Sequence, residues 1–120
     1  MKGFEIDVTP FDGTDFEVSG GTKEAPETKT VTYYPAPLLH ELLWSNNAGG
    51  LRDEENMSKV LRVSEVLRAP KKRKSKQYVQ LTVDEHEFLL KVLKLIQGWN
   101  ENQWEARHRV VAAKDVETKD

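Results

Sequence analysis

Phe4, Ile6 and Val8 alternate with Glu5, Asp7 and Thr9, the period-two pattern of a strand with one buried face. Phe16 and Val18 alternate in the same way with Asp15 and Glu17. Between the two runs stands PFDGT, which predicts a hairpin. A two-residue Asp12-Gly13 turn would set Val8 against Glu17 and split the apolar faces. A Phe11-Asp12-Gly13 loop instead pairs Val8 with Phe16 and Ile6 with Val18, and places Gly13 where a positive φ is wanted. Residues 19–29 have no apolar period and read as a mobile loop. TVTYY (30–34) is a third strand with Val31 and Tyr33 on one face, ended by Pro35 and Pro37.

From Pro37 the period lengthens to that of helices. PLLHELLW puts Leu38, Leu39, Leu42 and Leu43 on one stripe, and SNNAGG breaks it. Asp53 to Ala69 is a second helix, with acids at its start, Arg68 at its end and an apolar face of Met57, Val60, Leu61, Val63 and Leu67. Pro70 stops it. YVQLT is a short strand. Thr82 and Glu85 then form a capping-box spacing that opens a third helix, striped by Phe88, Leu89, Val92, Leu93 and Ile96 and closed by Gly98. Asn102 and Glu105 repeat the spacing for a fourth helix to about Ala113. The pattern predicts an α+β fold: a small antiparallel sheet, made of an N-terminal hairpin plus one or two further strands, packed with about four helices. Residues 1–113 form one domain, and residues 114–120 are expected to fray.

The bulk properties agree with one modest core: 120 residues, 38% of them apolar and 32% charged. No apolar run approaches the roughly 20 residues of a membrane span. The start MKGFEIDVT lacks the apolar centre of a secretory signal. Absence of cysteine excludes disulfides, thiolate chemistry and cysteine-ligated zinc. A cytoplasmic protein with no membrane partner is the expectation.

The net charge of −2 conceals a segregation. Residues 1–50 hold three Lys/Arg against eight acids, residues 51–76 nine against four, and residues 77–120 six against eight. The basic block peaks in PKKRKSK, where Lys71, Lys72, Arg73, Lys74 and Lys76 precede Tyr78. Mutual repulsion predicts an exposed, mobile connector. Five cations beside an aromatic would suit phosphates, and the run is similar to short nuclear import signals. It could also dock on an acidic protein surface, or be a plain solvated connector that guards the next strand against edge pairing, which is the first reading of such a run. Trp99 and Trp104 in GWNENQW are further candidate contacts, since tryptophan supplies much area at little entropy cost.

Chemical motifs are missing. His40, His86 and His108 form no helical ligand pair and no HExxH. His86 in DEHEF and the acids Asp7, Asp12, Asp15 and Glu17 could offer ligands to a cation, but helix-dipole preference and a solvated outer face with a turn aspartate explain them. No serine lies in a nucleophile motif, and the glycine pairs lack phosphate-loop spacing. No metal, cofactor or catalytic residue is expected.

Three stretches, YYPAPLLHELLW, GGLRDEENMSKVLRVSEVLRA and LTVDEHEFLLKVLKLI, resemble in that order the small accessory proteins of tailed bacteriophages. The resemblance implies a non-enzymatic protein made in the host cytoplasm, acting in virion assembly or on a host or phage machine. It carries over no functional residue. A winged-helix arrangement fits less well, because only two helices precede the basic run. The sequence thus points to a non-enzymatic protein–protein interaction module, with a nucleic-acid accessory protein using residues 71–76 as the alternative.

Overall fold

The computed structural model describes residues 2–15 and 29–117. β1 (Lys2–Asp7) lies inside a four-stranded antiparallel sheet of order β4-β5-β1-β6, with β4 at Lys71–Arg73, β5 at Lys76–Thr82 and β6 at Lys114–Glu117. Phe4 faces Leu81 and Ile6 faces Val79, so one surface of the sheet is apolar. On the other surface Glu5 faces Gln80 and Asp7 faces Tyr78. A separate two-stranded sheet joins β2 (Phe11–Asp15) to β3 (Lys29–Tyr33).

The α+β class therefore stands, with three corrections of pairing. β1 does not form a hairpin with the next strand, because both its edges belong to β5 and β6. Locally, the Thr9 N–H donates to Asp7 Oδ1 at 2.9 Å in a turn that swings the chain away, and Pro10 has no N–H to extend a ladder. Phe11-Asp12-Gly13 is strand rather than loop, and the expected partners Phe16 and Val18 lie outside the described residues. Gly13 faces Val31 and serves space, not φ. A Cβ there would meet Asn102 Oδ1 and come within 2.8 Å of the Tyr33 ring.

Secondly, residues 114–117 do not fray. They add β6 to β1, setting Lys114 opposite Glu5 and Lys2 opposite Glu117. With one apolar residue, Val116, the segment carries no alternation to read. Thirdly, the basic run is no connector: residues 71–73 and 76–82 form a hairpin around Lys74-Ser75.

Among the described residues four α-helices form the other layer: α1 (Pro35–Leu43) packs on α2 (Met57–Arg68), α3 (Val83–Lys94) and α4 (Glu101–Val111), and these three lie against the sheet; a short 3-10 helix (Asn46–Leu51) follows α1. α1 starts on Pro35, whose missing N–H costs nothing at a helix start. Its C-terminal carbonyls need donors: Trp44 and Ser45 N–H groups serve His40 and Leu42, and Arg52 bonds the Leu43 oxygen at 3.0 Å and, just past the helix, that of Ser45 at 2.6 Å. α2 begins later than its acids suggested. Asp53 uses its carboxylate on the Asn56 N–H and amide, closing a turn ahead of the helix. The Thr82–Glu85 capping box of α3 is formed in full, whereas α4 is capped by Asn100 and Gln103 rather than Asn102 and Glu105. Gln103 reaches back to the Asn100 N–H as well as glutamate would.

Ile6, Val79 and Leu81 of the sheet meet Leu39, Leu43, Val63, Leu89, Val92 and Val110 of the helices in one core. Leu93 is 2% exposed within it, so Leu93→Ala should lower stability by about 2–5 kcal/mol. An unshifted urea midpoint would contradict the packing of α3. Gly13→Ala should cost about 1–3 kcal/mol by overpacking, and adding Asn102→Ala should recover part of the loss, a coupling that a double-mutant cycle in urea reads directly.

Candidate functional site

The β4–β5 hairpin carries the densest charge in the molecule, and its geometry follows from two residues. Lys74, first in the two-residue loop, has φ of 59°, a conformation that glycine normally supplies. Arg73 lies over the Tyr78 ring, 4.4 Å from its centroid, and reaches across β5 to Glu5 on β1. Both terminal nitrogens of Arg73 face the Glu5 carboxylate at 3.4 Å, while Gln80 donates to the same carboxylate at 3.2 Å. The Glu5 charge holds the Arg73 guanidinium even further above its usual range. The hairpin is thus pinned to the sheet by one of its five cations.

A second arginine organises the neighbouring wall. Arg109 of α4 binds Glu105 at 3.0 Å and Asp7 at 3.4 Å. It also donates to the carbonyl oxygens of Asp7 and Thr9, each at 3.3 Å, where β1 ends. Partial burial pushes the Asp7 carboxyl up, but the Thr9 hydrogen bonds, Arg109 and Lys76 outweigh it and leave the group below its usual range. Between hairpin and α4 opens a cleft of about 560 Å³, floored by Tyr78 and walled by Lys76, His108, Ala112 and Lys114.

The structure therefore gathers Lys71, Lys72, Arg73, Lys74, Lys76 and Tyr78 on one hairpin, all five cations exposed. It does not bring the tryptophans to them. Trp99 packs against the core and meets Trp104 edge-on at 5.4 Å, and Arg107 covers Trp104 at 4.5 Å. Neither lines the cleft. The sequence marks none of Glu5, Arg109 and Lys114 as a site residue, and it brings up Asp7 and His108 only as ligands that no motif supports. Only the i,i+4 spacing of Glu105 and Arg109 is a local signal.

Elsewhere the polar groups serve the fold. His86 is buried, stacks on Phe4 at 4.1 Å and bonds the Val110 carbonyl at 3.0 Å. A carbonyl only accepts, so Nε2 carries a hydrogen and offers no lone pair to a metal. Among the described residues no three His, Asp or Glu gather around a common point. Asp12 accepts instead from the Thr32 hydroxyl.

His40 and Ser64 lie 2.8 Å apart, a nucleophile–base distance. Ser64 is 1% exposed, however, and its oxygen accepts from Trp44 Nε1. Arg68 donates to His40 Nε2, occupying the lone pair a base would need. The cluster bolts α1 to α2. No helix among the described residues is long and apolar enough to cross a membrane. Compared with known proteins, the chain matches no family model, no curated protein and no solved structure.

Burial and then the Arg68 charge lower the His40 pKa below its ordinary 6.5. Below pH 6.5 the unfolded chain takes up a proton that the folded chain resists. Stability should therefore fall as the pH drops through 6.5 toward the lower folded pKa. Urea midpoints at about pH 7.5 and about pH 5.5 should differ, and the difference should shrink in His40→Gln, whose amide oxygen still accepts from Arg68 but does not titrate.

Proposed function

We propose that this chain is a non-enzymatic docking module that holds an acidic partner protein through its β4–β5 hairpin. The observation that carries this reading is the division of charge within the hairpin. Arg73 is spent on Glu5, while Lys71, Lys72, Lys74 and Lys76 are exposed and form no ion pair among the described residues. Holding like charges together on a pinned hairpin, with only Asp7 near enough to feel Lys76 and no carboxylate within ion-pair distance among the described residues, is unfavourable until an anion arrives. Following the resemblance in the sequence, the partner is a phage or host protein met in the cytoplasm or during virion assembly.

Nucleic acid fits the same cations less well. The helix leading into the hairpin is α2, and exposed Asp53, Glu54 and Glu55 stand just before its N-terminus. A reading helix would turn that end toward phosphates. The cations also occupy one hairpin instead of spreading over a face.

Replacing Lys71, Lys72, Lys74 and Lys76 with serine should leave the urea midpoint within about 0.5 kcal/mol of equivalent stability, since exposed charges contribute little. The same variant should lose affinity for a labelled glutamate-rich peptide by about tenfold or more, about 1.4 kcal/mol shared unevenly among the four lost charges. An oligonucleotide bound more tightly than about 1 μM at about 150 mM salt, and released by the serine changes, would transfer the function to nucleic acid.

A further inference from the structure

Building on that docking reading, we propose that the acidic segment of the partner seats in the cleft between the β4–β5 hairpin and α4, its carboxylates held by Lys74, Lys76 and Lys114. Three carboxylates line the cleft, and each is already engaged: Glu5 by Arg73, Asp7 and Glu105 by Arg109. Three lysines line it too, and none forms an ion pair among the described residues. Five Lys/Arg against three Asp/Glu leave the lining at +2. The two arginines offset two of the three carboxylate charges and Lys76 also acts on Asp7, so a ligand meets the remaining net charge of +2.

These lysines reach the cleft from three places in the chain: the hairpin loop, the start of β5 and the start of β6. Anions spaced along a short extended peptide match that arrangement. A volume of about 560 Å³ takes a few residues. The Tyr78 ring and Ala112 give apolar contact for an uncharged side chain between the acids. The backbone at Lys74 supports the same reading. Glycine would relieve a φ of 59°, yet the position keeps a long cation at the mouth of the cleft. A phosphodiester chain suits the cleft less well, because its charge at every unit would pass three carboxylates. A peptide can set neutral residues and N–H donors beside them.

The double dissociation of two variants tests this. Lys114 lines the cleft but lies outside the hairpin; Lys71 and Lys72 lie on the hairpin but outside the cleft. The probe is a fluorescein-labelled peptide of alternating Glu and Ala, followed by anisotropy against the full chain. Lys114→Ser should weaken binding about threefold or more, and by more than the joint change Lys71→Ser and Lys72→Ser does, because those two act on the seated peptide only from outside the cleft. The reverse pattern would overturn the cleft and leave hairpin docking standing. No binding by the unaltered chain would overturn both. An unlabelled oligodeoxythymidylate that displaces the peptide at equal charge concentration, with the same dependence on Lys114, would overturn the choice of peptide. Amide shifts of Ser75, Lys76 and Ala112 on peptide addition give an independent reading in the unaltered chain; shifts confined to Lys71 and Lys72 would refute the placement.

Discussion

β1 must have a strand on each side, and the rest of the fold follows from that. Its partners, β5 and β6, come from the second half and the far end of the chain. Both rows of its backbone N–H and C=O groups are therefore satisfied by segments that are distant in sequence. Register is strict because one face is buried: a slip by one residue would turn Ile6 from the core into water. With β5 pinned, the β4–β5 hairpin has a fixed base. With β6 pinned, the C-terminal end of α4 is held beside the end of β1, and the cleft acquires its second wall.

The arginines and lysines divide the remaining work according to their chemistry. Arg52 caps α1, Arg73 ties the hairpin to Glu5, and Arg109 joins α4 to the carbonyls that end β1. Arg73 turns both terminal nitrogens toward one carboxylate, a planar fork that lysine lacks, while Arg52 and Arg109 each give one nitrogen to two carbonyl oxygens. Lysine's compact, strongly hydrated charge belongs at the surface, and there Lys71, Lys72, Lys74 and Lys76 are found. The same economy governs the other polar groups. No buried side-chain nitrogen or oxygen among the described residues lacks a partner, and the histidine–serine contact between α1 and α2 is one such satisfied pair. Charge left without an internal partner is therefore confined to positions in contact with water.

Local chemistry made much of this legible in the sequence. The stripe of α3, its Thr82–Glu85 box and the alternation around Ile6 depend on neighbours within a few residues, and each is found where the pattern put it. The exposure of residues 71–76 follows from desolvation cost alone. The α+β class follows from the order of strand and helix periods along the chain.

Which strand pairs with which was decided only in three dimensions. An alternating segment has two equivalent edges, and nothing in Phe4, Ile6 and Val8 says whether Phe16 or Val79 will lie beside them. The Asp7–Thr9 turn and Pro10 divert the chain, and burial against α3 favours β5. KDVE becomes a strand because β1 has an edge to fill, not because of its own composition. The cleft is invisible for the same reason: Glu5, Asp7, Arg109 and Lys114 are brought together by pairing across the length of the chain. Periodicity reports which face of an element is buried; it takes the packed structure to determine which distant charges then stand side by side.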